Sequence, residues 1–330
     1  SDMEQRITMT GMKTAMMKAA MSGLYHTGAH RLLAPYTQGA GVIFTLHHVK
    51  QPDDKEFAPN RILEVAPEFL EAVLDQVAEQ GLEVVSLDEA ARRLREEDER
   101  RFVCFTFDDG YRDNLENAYP IFKARGHPFA IYIPTDYPSD RGELWWVALE
   151  EIVRRSDEIE LCRNGELWRL PCRTVAEKWR SHEQIYWWLR SIDEATQRRI
   201  VRTLAERYDV DMPALCRDLV MTWDEIRMLA ADPLVTIGAH TKGHYAVAKI
   251  CDEKAIDQMT GSADVIEREL GRRPQHFAYP YGDADSAGPR DFTLARALGF
   301  KTAVTTRKGV LFPEHRRYLT ALPRVSLNGD

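Results

Sequence analysis

Five cysteines in 330 residues, an odd number with no Cys-x-x-Cys pair, leave neither a disulfide framework nor a thiolate zinc site. No stretch approaches the ~18 consecutive apolar residues that a membrane-spanning helix requires. Positive charge is not in surplus: 44 Lys and Arg face 52 Asp and Glu, for a net charge of −8 and a pI near 5.8. A chain so balanced has no means to neutralise a phosphate backbone, so a nucleic-acid partner is disfavoured. Internal repeats and low-complexity tracts are missing. So is a clean leader: residues 9–24, MTGMKTAMMKAAMSGL, are interrupted by Lys13 and Lys18 and read as an amphipathic, methionine-rich helix. Without a leader, the expected location is the cytoplasm.

What is present is an alternation of strands and helices. GVIFTLHHV (41–49) reads as a strand ending at His47 and His48. Residues 66–82 carry apolar positions at helical spacing, begin at a proline and stop at Gly81. A capping box, Ser86 to Glu89, opens the next helix. RFVCFTF (101–107) is a continuous apolar run, as expected of a parallel strand covered on both faces. A helix ending at Gly126 and the strand PFAIYIPT (128–135) follow. This order predicts an α/β fold with parallel strands. Residues 139–221 break the rhythm. They are predicted mostly helical, with a hairpin turning at Asn164-Gly165 and the tandem pairs Trp145-Trp146 and Trp187-Trp188. They read as an insertion or lid. The alternation resumes with a Thr222–Glu225 capping box and strands at 235–240, 276–282 and the C-terminus. The expected division is therefore an N-terminal helical segment, 1–40, and a catalytic domain, 41–330, interrupted by 139–221.

Three strand ends carry polar groups, where parallel α/β proteins form their sites. The first is TFDDG, in which an apolar strand runs into Asp108 and Asp109. Adjacent carboxylates repel, and one is driven toward holding a proton unless something rewards the pair. A metal ion bound by one carboxylate, with the other free as a base, would do so, and Gly110 lets the chain turn so that both approach one centre. The second is HTKGH, which places His240 and His244 on one face of a helical turn or a tight turn. Two imidazoles and one carboxylate leave an open position on zinc, the catalytic pattern. Nickel, cobalt or manganese would also accept those donors. The third is FAYPYG, residues 277–282.

TFDDG, HTKGH and FAYPYG, in that order, resemble the polysaccharide deacetylase family (carbohydrate esterase family four), with flanking similarity over residues 41–138 and 221–327. The resemblance implies a distorted (β/α) barrel that hydrolyses the N-acetyl amide of N-acetylglucosamine units with a divalent metal, zinc by donor type. It implies Asp109, His240 and His244 as metal ligands, Asp108 as general base, and the backbone N–H of Tyr281 as a donor to the oxyanion. Two features depart from the usual pattern. The closing strand LPRVSL has no histidine, whereas TLHHV on the first strand does, as in the circularly permuted branch of the family; by that register His47 is the general acid. The arginine that usually orients the base is Ala278 here, and Arg324 is the candidate replacement. Arg324 is grouped on the substrate side with Trp145 and Trp146, whose rings suit the apolar face of a pyranose. The expected partner is an N-acetylated oligo- or polysaccharide. Ureides and formamides are cleaved by relatives of the family, and a carbohydrate-binding relative without chemistry would share the fold; the four retained residues Asp108, Asp109, His240 and His244 favour an enzyme.

Overall fold

The computed structural model describes residues 39–327, so the expected N-terminal helical segment lies almost entirely outside the described residues. The strands are β1 (Gly41–Leu46), the short β2 (His48–Val49), β3 (Glu64–Val65) and β4 (Glu83–Val84), then β5 (Phe102–Phe107), β6 (Phe129–Ile133), β7 (Glu158–Arg163), β8 (Glu166–Pro171), β9 (Val235–Ala239), β10 (His276–Ala278), β11 (Thr302–Lys308) and β12 (Leu322–Ser326). Seven of these form a ring in the order β1, β12, β11, β10, β9, β6, β5, closed by parallel pairing of β5 with β1 from Gly41–Phe102 to Leu46–Phe107. The result is a distorted, closed parallel barrel. Its irregularities are visible in the register: β6 meets β5 only at Thr106 and Phe107, while β4 occupies the start of β5, and the β11–β12 register shifts between Val304 and Lys308.

Side chains alternate across each strand, and the chain uses both faces. On β5, Val103, Phe105 and Phe107 face outward into a large apolar layer, with Val42, Phe44 and Leu46 of β1 and Ile131 of β6. Phe102 and Cys104 fall in a second cluster with Ile43, Ala130, Tyr132, Ala278, Val304 and Leu322, which lines the barrel interior. This is why RFVCFTF has no polar alternation: every residue of β5 is buried.

Helices cover the outer face. They are α1 (Pro67–Glu79), α2 (Leu87–Glu96) and α3 (Tyr119–Arg125) in the first half. Pro67 begins α1, where its missing N–H costs nothing. Ser86 accepts the Glu89 N–H at the start of α2, although the Glu89 side chain turns to Arg92 and Arg93 instead of closing a full box. Residues 139–221 hold α4 (Trp145–Arg155), the β7–β8 hairpin, α5 (Val175–Ser191), α6 (Glu194–Arg207) and α7 (Met212–Leu219). Asn164 and Gly165 both take positive φ, 53° and 83°, as the two-residue turn requires. The insertion has an apolar cluster of its own, built from Trp145, Leu149, Ile152, Ile185, Leu189, Val201 and their neighbours and joined by Tyr111 of the barrel. It is a packed body, more than a surface lid. The second half adds α8 (Trp223–Ala230), opened by the full Thr222–Glu225 box, then α9 (Asp252–Leu270) and α10 (Pro289–Ala297).

Gly238 of β9 falls on the inward side. A Cβ there would lie 2.5 Å from the fully buried Tyr132 ring and 3.0 Å from the His276 carbonyl oxygen. Gly238→Ala is therefore expected to lower stability by about 1–3 kcal/mol through overpacking. Urea denaturation checks this, and an unchanged midpoint would show that the Tyr132 ring gives way freely.

Candidate active site

The inward parity of β5, Phe102, Cys104 and Thr106, continues to Asp108, so this carboxylate points into the barrel mouth. Arg324, on β12, meets it there. Its Nη1 and Nη2 donate to Asp108 Oδ1 and Oδ2 at 2.8 and 2.7 Å, a bidentate pair. Nε of Arg324 donates to the Thr305 carbonyl, and Nη1 also reaches Thr106 Oγ1 at 3.0 Å, whose hydroxyl donates to the Phe44 carbonyl. Arg324 is 0% exposed, so it is not on the substrate side; it braces the carboxylate from behind. Burial pushes the Asp108 pKa up, but the Arg324 guanidinium more than offsets this and holds it below its ordinary value. Asp108 is thus ionised at neutral pH.

Asp109 is turned the other way by two successive left-handed residues, itself at φ 76° and Gly110 at φ 71°. Its Oδ1 lies 3.4 Å from His240 Nε2 and 3.2 Å from His244 Nε2. The three ligand atoms lie within 4.8 Å of one another, and all three residues are buried. His240 comes from the end of β9, and its Nδ1 is 2.7 Å from the Ala278 carbonyl. A carbonyl only accepts, so Nδ1 donates to it and Nε2 is the nitrogen turned toward Asp109. His244 does not sit on a helical turn, as its spacing allowed. Residues 241–243 form a turn in which Thr241 and His244 take φ of 61° and 58°, and these two reversals bring the second imidazole back beside the first. Burial lowers the His244 pKa against the pull of Asp109, and the facing imidazoles outweigh burial to hold Asp109 well below the usual carboxylate range. Asp109 Oδ1 is buried without a hydrogen bond. Two imidazole nitrogens facing an ionised carboxylate with an orphaned oxygen are a donor set that fits a divalent cation.

His47 follows β1 on its inward parity, next to the Leu46–Phe107 pair, which sets it beside Asp108 at the mouth. Its side chain is only partly exposed. Burial lowers its pKa, opposed by the charges of Asp109 and Asp108 and reinforced by Arg324. His48, on the opposite parity, donates from Nδ1 to Asp113 at 2.6 Å and stacks on Tyr111 at 3.6 Å. Tyr281 (φ 62°) and Gly282 (φ 68°) reverse the chain after β10, and the Tyr281 ring stands edge-on to His244 at 4.8 Å. Trp145 and Trp146 do not offer the expected stacking faces: they are 2% and 6% exposed. Trp145 Nε1 donates to the Tyr281 hydroxyl at 2.7 Å, and the Trp146 ring lies 4.9 Å from His244. Both rings belong to the wall behind the site, because the insertion needs them for its core.

Sequence reasoning missed the residues that hold these loops. Arg112, two residues past Gly110, donates to the carbonyls of Arg217, Asp218 and Val220 at the end of α7, and Met221 N–H donates to the Gly110 carbonyl. Arg190 of α5 lies 3.8 Å over the Tyr281 ring and pairs with Asp283. Their signal was weak, since an arginine in a charged helix reads as solvated surface.

A metal-fitting Asp-His-His set and a braced second carboxylate, at the mouth of a parallel barrel, define a hydrolase site. The polysaccharide deacetylase family model matches residues 95–208 and 192–303, more than half the chain, and the protein belongs to that family of deacetylases. The matched stretches run through the insertion, which the resemblance in sequence had left out. Among solved structures, the fold is shared with the Streptococcus pyogenes deacetylase PplD, determined in complex with acetate (16% identity, TM-score 0.57, 88% of this chain and 92% of that one). It is shared also with IcaB from Ammonifex degensii (18%, 0.54, 88% and 92%) and with a de-N-acetylase from Aggregatibacter actinomycetemcomitans (15%, 0.53, 86% and 94%). No curated protein matches the chain.

Replacing Arg324 by Met leaves a buried carboxylate uncompensated, a loss of about 3–5 kcal/mol. In the parent, the lowered Asp108 pKa contributes stability above the unfolded value of about 3.9 that is lost as pH falls. In Arg324→Met, burial is opposed only by the weaker pull of His240 and His47 and the Asp108 pKa rises, so the deficit should be largest near pH 8 and shrink toward pH 5 as Asp108 takes a proton. Urea unfolding of both proteins at the two pH values tests this; a deficit independent of pH would show that packing, and not charge, is what Arg324 supplies.

Proposed function

We propose that this protein removes the acetyl group from N-acetylated amino sugar units, of the N-acetylglucosamine kind, in an oligo- or polysaccharide, releasing acetate and the free amine. The observation that carries the proposal is the division of labour between neighbours in sequence: Asp109 turned to the Nε2 atoms of two histidines, Asp108 turned to Arg324. The substrate class rests on the family and on two neighbours, one solved with acetate and one described as a de-N-acetylase.

Asp109, His240 and His244 would hold a divalent ion, zinc by donor type. Such an ion supplies polarisation of the amide carbonyl and a water made more acidic. Asp108, kept ionised by Arg324, takes the proton from the attacking water on a carboxylate oxygen. The Tyr281 N–H donates to the carbonyl oxygen as negative charge gathers there. His47, beside Asp108 at the mouth, gives a proton to the nitrogen as the amide C–N bond breaks. Its lowered pKa makes the protonated ring a readier donor. The wall of Trp145, Trp146 and Tyr281 keeps the site low in dielectric, where each of these charges counts for more.

Acetate release from N-acetylglucosamine oligomers of increasing length, with zinc-loaded and chelated protein, is the direct test. Release should require metal, fall by about 10²–10⁴-fold in Asp108→Asn as expected for loss of a general base, and vanish in His240→Ala with the fold retained. Undiminished release from His240→Ala would refute the assignment. Turnover of a ureide or formamide in place of the acetamide would move the substrate and keep the site.

A further inference from the structure

We infer that Arg198 and Glu194, both contributed by the insertion, are positioning residues that hold the His244 loop in the strained form that presents its imidazole. The inference rests on the metal-site reading above. Among the described residues, four of the eight non-glycine residues with positive φ lie at this site, Asp109, Thr241, His244 and Tyr281, so backbone strain is concentrated there. Each such residue is strained and persists only where its surroundings over-determine it. For the His244 loop, those surroundings are divided. The barrel grips its first half: Gln258 Oε1 of α9 accepts from the Lys242 and Gly243 N–H groups at 3.1 and 3.0 Å. The insertion grips the second half. Arg198 Nη2 donates to the Gly243 carbonyl at 2.7 Å and to the His244 carbonyl at 3.3 Å. Glu194 Oε1 accepts the Ala246 N–H at 2.9 Å, and its Oε2 accepts from Arg198 Nε at 3.2 Å. The Arg198 guanidinium also lies 3.7 Å from the centre of the Tyr245 ring.

The pair is buried, with side-chain exposures of 8% and 5%. A buried ion pair is a poor source of stability beside an apolar pair of the same size, because both charges lose their hydration. What it adds here is direction. Nη2 of the planar guanidinium reaches two successive carbonyls and Nε the carboxylate of Glu194, which takes the N–H on the far side of the histidine. The left-handed His244 is thus clamped on both flanks by one rigid unit. No apolar pair could do that. The insertion is therefore part of the metal site without supplying a ligand to it.

The test is metal binding by the full chain, read as zinc affinity in chelator competition and as the visible spectrum of the cobalt-loaded protein. Arg198→Met is expected to weaken zinc by about 10–100-fold, the usual effect of losing a group that orients a ligand, and to shift the cobalt bands, while urea unfolding stays cooperative. Arg198→Lys should recover only part of the loss, since an ammonium cannot make the fork. Glu194→Gln keeps an oxygen for the Ala246 N–H and loses the charge, and should fall between the parent and Arg198→Met; with Arg198→Lys, it carries the test if Arg198→Met fails to fold. Zinc affinity and cobalt spectrum equal to the parent in the folded variants would overturn the inference and leave the pair a packing element. A parent that binds neither metal would overturn it as well. The readout is occupancy, so it is decided separately from acetate release.

Discussion

A carboxylate at the inside of a barrel mouth is tolerable only if something holds its charge, and here Arg324 does. The pair is fully buried and bidentate, and the arginine reaches β5 and β11 from its own strand, β12. Thr106 extends the contact to β1 through the Phe44 carbonyl. One side chain therefore connects four strands where the ring closes, while keeping Asp108 ionised and pointing at the mouth. The polar top of the barrel and its closure depend on the same interaction. That gives Asp108 a fixed direction before any substrate arrives, the preorganisation that the proposed role of base in a low-dielectric site needs.

The second constraint is backbone strain. The three loops that make the site reverse direction through left-handed residues that are not glycine, and each is tied to residues 139–221. The Asp109 turn is held through Arg112, the His244 loop through Arg198 and Glu194, and the Tyr281 turn through Arg190. The apolar cluster of the insertion puts a rigid body behind those ties, and Trp145 and Trp146 are part of it. This accounts for both tryptophans being buried: their surfaces hold the wall of the site together and are not free to meet a sugar ring.

Much of this was legible from residue order. TFDDG, HTKGH and FAYPYG fall at strand ends because apolar runs of strand length precede them, and a site at the carboxyl end of parallel strands follows. Strand parity also separates His47 from His48: one continues the inward face of β1, and the other turns away to Asp113. What could not be read was the partner of each polar residue. Arg324 lies 216 positions from Asp108, and the Arg198 contact to the His244 loop spans 46. Local pattern carries no information about such pairs, and the charged helices of the insertion gave no sign that two of their arginines face inward.

The sequence by itself determined the alternation of strands and helices, the parallel barrel, and the three motifs whose donors converge. These follow from periodicity and from short-range geometry, which act within a few residues. Only the tertiary structure decided that HTKGH forms a strained turn and not a helix face, that Arg324 stands buried behind Asp108, and that the insertion hydrogen-bonds the His244 loop. Each of those depends on which groups lose water together when distant segments pack, and a buried charge is compensated by whatever the fold brings to it.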